Sequence, residues 1–128
     1  MGLATAQAPS AGELQRQIEH LQIAGSVLYV AAHPDDENTR LIGWLVGDQG
    51  LQTTYLSMTR GGGGQNLIGT EQSELLGVVR TGELLAARSV DGGHQRFTRM
   101  RDFGYSKSPE EALAIWGHDD ALSDVVLA

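Results

Sequence analysis

Short apolar runs alternate with helical patterns along this chain. The first run, residues 27–32, is rich in β-branched and aromatic residues and predicts a strand buried on both faces of a parallel sheet. A second strand is predicted over residues 51–59 and a shorter third one over residues 94–100. A helical apolar stripe separates the first two strands and ends near Gly47 and Gly50. This strand, helix, strand order predicts a parallel βαβ unit, and therefore an α/β fold.

Capping signals predict a helix near each end of the chain. Ser10 and Glu13 have the spacing of a capping box, and apolar residues follow them at helical intervals. Ser108 and Pro109 mark the start of a helix that residues 117–120 are expected to interrupt. Both helices can cover a sheet with their apolar faces.

The longest helical pattern lies in the middle of the chain, from residue 70 to residue 89. Arg80 and Glu83 are spaced to pair on its surface, and two glycines end it at residues 92 and 93. The loop before it, residues 60–66, contains four consecutive glycines and can approach a ligand closely. We expect an irregular loop over residues 101–107.

Composition limits the kind of protein. With 128 residues, of which 41% are hydrophobic, the chain can form one ordinary domain. The formal net charge of -7 disfavours nucleic acid and anionic membranes as partners, because both require basic patches. No apolar run approaches the ~20 residues that a membrane-spanning helix needs. The chain has no cysteine, so any metal must be held by histidine and carboxylates.

The two ends of the chain give further expectations. Residues 1–9 are predicted to be a disordered leader, and residues 10–128 to be one domain or part of one. Ala4 and Ala6 have the small-x-small spacing of a signal-peptidase site, so a soluble protein in the cytoplasm and an exported one both remain open. The apolar pattern of residues 125–127 has no closing signal, and we expect the natural polypeptide to continue past Ala128.

Ligand-type side chains follow the first predicted strand directly. Ligands bind at the carboxyl ends of strands in open α/β sheets, which places His33, Asp35 and Asp36 in the expected crevice. His33 and Asp36 could bind zinc, and Asp35 would then be free to take a proton from water. The alternative is a turn and a cap for the next helix, which the residues from Asp35 to Asn38 can supply.

The glycine tract of residues 61–64 has three interpretations. It follows a strand and precedes a helix, as a phosphate-binding loop would, but it lacks the Lys-Ser/Thr of a P-loop. A rim around a catalytic pocket is favoured, a purely structural turn comes next, and a nucleotide or phosphate site is the least favoured.

Several motifs together resemble one enzyme family. Ala32-His33-Pro34-Asp35-Asp36-Glu37 is similar to the hallmark of the LmbE-like (PIG-L-like) zinc-dependent N-deacetylases, which remove acetyl groups from N-acetylglucosaminyl compounds. The similarity extends over residues 26–126. It includes Thr59-Arg60-Gly61 after the second strand, the run Leu76-Gly77-x-x-Arg80-x-x-Glu83-Leu84, and the loop Asp102-Phe103-Gly104-Tyr105-Ser106.

The resemblance implies a fold, a reaction and roles for five residues. The chain would be the amino-terminal part of a Rossmann-like three-layer sandwich with a mostly parallel sheet. Zn²⁺ would be bound by His33 and Asp36, and Asp35 would be the general base. Arg80 and Asp102 would contact an amino-sugar substrate or a related amide. The alternative is a non-catalytic carbohydrate-binding or interaction domain that keeps the fold.

Two departures from the family pattern matter. Gly62 stands where relatives often carry an acidic residue. The family's third zinc ligand comes from a later strand, expected beyond Ala128, and His118 is interpreted as a surface residue rather than a substitute. His20 and His94 are also expected at the surface. The 128 residues alone are therefore predicted to be inactive, with an open sheet edge through which they could associate.

Overall fold

The computed structural model describes residues 8–64 and 72–128. In chain order its elements are α1 (Ala11–His20), β1 (Ser26–Ala31), α2 (Thr39–Gly47), β2 (Gln52–Ser57), α3 (Glu74–Asp91), β3 (His94–Phe97), α4 (Pro109–Trp116) and α5 (His118–Val126). Helices and strands alternate from α1 to α4, which confirms the α/β class.

The three strands form one parallel sheet in the order β1-β2-β3. Ala31 of β1, Ser57 of β2 and Phe97 of β3 are in register, so the carboxyl ends of all three strands meet at one edge. The pairing continues past β1 and β2, where the amide of Thr59 donates to the carbonyl of Ala32 at 3.0 Å. The predicted βαβ unit is confirmed, and the residues after β1 lie beside those after β2.

Helices α2 and α3 cover one face of the sheet. Ile42 of α2, Tyr55 of β2 and Leu84 of α3 form a buried cluster. Tyr29 from β1 and Phe97 from β3 pack against it. Because side chains alternate along a strand, every odd-numbered residue of β1 and β2 points toward these helices.

Helix α5 packs on the opposite side, at the carboxyl end of the sheet. Its Ala121 forms a second buried cluster with Met58, which follows β2, and with Met100. Met58 has the opposite parity to Tyr55 and therefore points away from α2 and α3. Trp116 of α4 packs against this cluster. Helices on two sides of a parallel sheet are the Rossmann-like arrangement that the resemblance implied.

The prediction that β1 is buried on both faces is wrong. Leu28 is 39% exposed and Val30 is 44% exposed, whereas Tyr29 and Ala31 between them are partly buried. Within the described residues, β1 pairs with β2 alone and lies at the sheet edge. Its even-numbered side chains have no helix over them there, because α5 packs near the end of β2.

Most predicted boundaries agree within a few residues. The capping box of Ser10 and Glu13 is present at α1, and the break between α4 and α5 occurs at Gly117, whose φ is 81°. Strand β3 stops at Phe97, three residues before the predicted end. The amide of Thr98 still donates to the carbonyl of Ser57, and its hydroxyl donates to the carbonyl of Met58. Asn38 caps α2, as its position suggested.

Some predictions fall outside the described residues. These are the leader over residues 1–7 with its Ala4 and Ala6, the start of the long helix at residues 70–71, and the part of the glycine loop at residues 65–66. Across residues 8–64 and 72–128, every helix is too short or too polar to cross a lipid bilayer.

Candidate active site

A tight turn after β1 places His33 and Asp36 side by side. The backbone N–H of His33 donates to Oδ2 of Asp36 at 2.9 Å, and the amide of Asp36 donates back to the carbonyl of His33 at 3.4 Å. As a result, Nδ1 of the His33 ring lies 3.6 Å from the same Asp36 oxygen. The sequence motif therefore folds into a local pair of donor atoms at the carboxyl edge of the sheet.

The spacing of this pair fits zinc. Zinc bound tetrahedrally, with Zn–N and Zn–O distances of ~2.0–2.2 Å, holds its ligand atoms about 3.4 Å apart. The 3.6 Å separation of His33 Nδ1 and Asp36 Oδ2 is close to that value. Within residues 8–64 and 72–128, no further histidine or acidic residue joins this pair to make a group of three that could hold a metal ion. The two donors fit a zinc site, and they do not complete one by themselves.

Asp102 lies on the other side of the His33 ring. Its Oδ1 is 3.4 Å from Nε2 of His33, and its side chain is only 4% exposed. The carboxylate also accepts two backbone amides, from Gly63 at 3.0 Å and from Gly104 at 2.9 Å. Asp102 thus joins the motif, the glycine tract and the loop of residues 101–107. Its predicted contact with substrate stays a prediction.

Asp35 projects into solvent between the other motif residues. Its side chain is 73% exposed, and its backbone has a φ of 99°, a conformation that favours glycine. Nη1 of Arg80, on α3, lies 3.8 Å from Oδ2 of Asp35 and donates to the carbonyl of Pro34. Within the described residues Arg80 therefore pairs with Asp35 and not with Glu83, as the helical spacing had suggested.

Two tyrosines hold the backbone of the motif from below. The hydroxyl of Tyr55 donates to the carbonyl of His33 at 2.5 Å, and that of Tyr29 donates to the carbonyl of Asp36 at 3.4 Å. Their rings pack edge to face with centroids 5.6 Å apart. Burial raises the pKa of Tyr55, and the nearby Glu37 carboxylate adds to this rise. Tyr55 therefore stays protonated and remains a donor.

The last motif residue, Glu37, forms an ion pair beneath the turn that the sequence did not predict. The side chains of Glu37 and Arg88 are only 7% and 4% exposed, and Oε1 of Glu37 lies 3.6 Å from Nη2 of Arg88. Arg88 also binds both carboxylate oxygens of Asp91 on α3. The sequence places Glu37 in the motif and in the segment that can cap α2, but assigns it no role in the site. The signal for Arg88 was available, because an arginine on the sheet-facing side of an amphipathic helix requires a partner.

The glycine tract packs closely against its neighbours. A side chain at Gly61 would meet Cδ of Arg80 at 2.7 Å, and one at Gly63 would meet Oδ1 of Asp102 at 2.8 Å. Gly61 has a φ of 71°, and Gly64 donates back to its carbonyl. These glycines allow Arg80 and Asp102 to approach the motif. This favours a pocket rim and a structural turn over a phosphate loop.

Comparison with known proteins assigns most of the chain to one family. The family model described as GlcNAc-PI de-N-acetylase (PIG-L) matches residues 28–126. The chain belongs to the PIG-L family. A relative from Corynebacterium urealyticum, named 1D-myo-inositol 2-acetamido-2-deoxy-alpha-D-glucopyranoside deacetylase, is 40% identical over 98 residues, covering 65% of this chain. The chain spans 29% of the length of that relative.

A cavity opens beside His33 in this PIG-L domain. Its volume is about 270 Å³, and its walls include His33, Phe103, Ser106, Pro109 and Trp116. The Phe103 and Trp116 rings meet edge to face with centroids 5.7 Å apart, and Trp116 donates to the carbonyl of Arg101. The loop of residues 101–107 therefore brings an aromatic wall next to the donor pair.

The remaining histidines lie apart from the motif. His94 and His118 are exposed, and Nδ1 of His118 lies 2.8 Å from its neighbour Asp119. His20 is partly buried, because its ring packs over Gly50. The expectation of surface positions is met for His94 and His118 and only partly for His20.

Proposed function

We propose that the full-length protein is a zinc-dependent hydrolase that removes the N-acetyl group from an N-acetylglucosamine-type amino sugar. The observation that carries the proposal is the 3.6 Å pair of His33 Nδ1 and Asp36 Oδ2, with Asp35 beside it, at the strand ends of a PIG-L domain. The named activity of the Corynebacterium relative supports the reaction type and the substrate class.

His33 and Asp36 are the residues proposed to hold the metal. When bound, zinc supplies Lewis acidity to the acyl carbonyl and lowers the pKa of water. A proton on Nε2 of His33 would face Asp102, which leaves the lone pair of Nδ1 directed toward Asp36. The third ligand, predicted beyond Ala128, stays a prediction.

Asp35 is proposed as the general base. Its exposed carboxylate can reach a water molecule above the motif, accept its proton and later pass that proton to the leaving amine. Asp36 is bonded to the His33 amide and cannot serve as freely. Nη1 of Arg80 lies 3.8 Å from Oδ2 of Asp35 and places a positive charge beside the proposed base.

The cavity beside His33 is the proposed place for the acetylated sugar. Phe103 and Trp116 offer apolar faces on which a pyranose ring can stack, and Ser106 supplies a hydroxyl at the wall. Arg80, whose Nη1 lies 3.8 Å from Oδ2 of Asp35, is proposed to bind sugar or acyl oxygens. Asp102, being nearly buried, would reach the substrate through its remaining lone pairs.

Acetate release from an N-acetylglucosamine derivative tests the proposal. We expect the full-length protein to release acetate, to lose this activity on treatment with a chelator, and to regain it when zinc is added back. Sugar binding without acetate release, unaffected by chelation, would instead establish a carbohydrate-binding domain that has kept the fold.

A further inference from the structure

The conformation of Asp35 needs a cause. Its φ of 99° is unfavourable for a residue with a side chain, and such strain persists only where surrounding contacts impose it. The Asp35 side chain supplies little of this restraint, because it is 73% exposed and its ion-pair partner, Arg80, is 3.8 Å away. The restraint must therefore act on the Asp35 backbone.

Glu37 makes the required backbone contact. Its Oε2 accepts the N–H of Asp35 at 2.9 Å, which closes a ring across the top of the turn. The Glu37 side chain is 7% exposed, so this carboxylate is almost withdrawn from solvent. A buried carboxylate is costly unless a cation and hydrogen-bond donors compensate it. The Asp35 amide is one such donor.

Arg88 supplies the cation and is itself rigidly held. Its Nη2 is 3.6 Å from Oε1 of Glu37, and its side chain is 4% exposed. Three hydrogen bonds of 2.6–3.1 Å join its guanidinium to Asp91, and a fourth joins it to Gln95. The same guanidinium lies 5.5 Å from the centroid of the Tyr55 ring. Arg88 therefore cannot follow Glu37 if the turn relaxes.

We propose that Glu37, anchored by Arg88, is a positioning residue that keeps Asp35 in its left-handed conformation and so aims the general base. The proposal rests on the proposed function for its catalytic meaning. The Glu37–Arg88 charge pair links α3 to the motif, although the two residues are 51 positions apart in the sequence. The hydrogen bond from the Asp35 amide to the Glu37 carboxylate, together with the Glu37–Arg88 pair, is called the clamp. The clamp acts on the base, while His33 and Asp36 keep their own contacts with each other.

Two substitutions at one position separate the clamp from general packing. In the full-length protein, Glu37→Met keeps the approximate volume but removes the acceptor for the Asp35 amide. Glu37→Gln keeps an acceptor oxygen and removes the charge. We expect Glu37→Met to lower kcat about 10- to 100-fold with a smaller change in KM, since a displaced catalytic group costs up to about that much. Glu37→Gln should show a smaller loss, because its amide oxygen can still accept the Asp35 N–H even though its NH2 group then faces Arg88.

Hydrogen exchange at the Asp35 amide provides a readout independent of activity. We expect NMR-detected exchange of this amide to become at least about tenfold faster in Glu37→Met and to change little in Glu37→Gln. Zinc content should stay at the wild-type level in both variants. Val125→Ala, which trims a residue packed against the Met58 cluster far from the clamp, is the control for a general loss of stability.

Unchanged Asp35 exchange and unchanged kcat in Glu37→Met would overturn the clamp. Equal losses in Glu37→Met and Glu37→Gln, without faster Asp35 exchange, would also overturn it, because a charge effect would then explain the result. If the wild-type protein released no acetate but Asp35 exchange accelerated in Glu37→Met, the clamp would stand and the proposed function would fail.

Discussion

Replacing Tyr55 with phenylalanine removes one hydroxyl beneath the turn of the candidate site, residues 33–36, and leaves the packing in place. The Tyr55 ring is fully buried, and its edge-to-face contact with Tyr29 does not use the hydroxyl. The hydroxyl donates to the carbonyl of His33 at 2.5 Å. Tyr55→Phe is therefore a test of one hydrogen bond that ties the sheet to the motif.

The expected cost at neutral pH is modest. An intramolecular hydrogen bond contributes about 1 kcal/mol net, and a buried acceptor left without a partner costs up to ~3 kcal/mol. The carbonyl of His33 also accepts the amide of Asp36, at 3.4 Å, so it keeps a partner in the variant. We therefore expect Tyr55→Phe to lower the free energy of unfolding by about 1 kcal/mol at pH 7.

The pH dependence has a definite sign. Burial raises the pKa of Tyr55 in the folded protein, whereas a tyrosine in the unfolded chain has a pKa of about 10. The stabilisation is fully present below that unfolded pKa and is lost as the pH rises from there through the folded pKa. At pH 11 ionisation of the unfolded chain removes about 1.4 kcal/mol from the wild type. The variant lacks this loss, so the two stabilities should meet between about pH 10.5 and 11.

Denaturant unfolding followed by far-ultraviolet circular dichroism, at several pH values from 7 to 11, measures this difference. The two proteins differ only at position 55, so the contributions of all other groups cancel in the comparison. Equal stability at pH 7 would refute the hydrogen bond. A constant gap from pH 7 to pH 11 would refute the raised pKa.

Three further predictions concern the candidate site. Asp35→Asn should leave zinc content unchanged and lower kcat about 10²–10⁴-fold, as measured by acetate release, because only the base is lost; full turnover would exclude this role. Gly63→Ala should lower the melting temperature, since its Cβ would lie 2.8 Å from Asp102, whereas Gly82→Ala meets nothing within 4 Å and should raise it; the reverse order would contradict the packing. Asp102→Asn should weaken zinc binding about 10- to 100-fold in equilibrium dialysis, and unchanged affinity would remove Asp102 as a partner of His33.

Local signals explain why much of the fold was predictable from sequence. The capping box at Ser10, the cap at Asn38 and the left-handed Gly117 depend on a few neighbouring residues, and each occurs where expected. The strands followed from their apolar composition. The exposed face of β1 did not, because the same apolar run suits a strand covered on one face or on both.

The candidate site was predictable only where its contacts are local. His33 and Asp36 are three residues apart, and their turn brings them together. The partners of the turn come from distant elements, with Arg80 and Arg88 on α3 and Tyr55 on β2. The helical spacing predicted a surface pair between Arg80 and Glu83. Spacing along one helix carries no information about the elements packed beneath that helix, so the contact with Asp35 was missed. Tertiary packing decided these contacts.

The zinc content of His33→Ala, measured in the full-length protein beside Asp35→Asn, tests the central claim most directly. After dialysis against a fixed free zinc concentration, the wild type and Asp35→Asn should retain about one zinc per chain. His33→Ala should lose most of its zinc, and both variants should lose acetate release. A fully metallated His33→Ala protein would contradict the claim that His33 and Asp36 hold the metal.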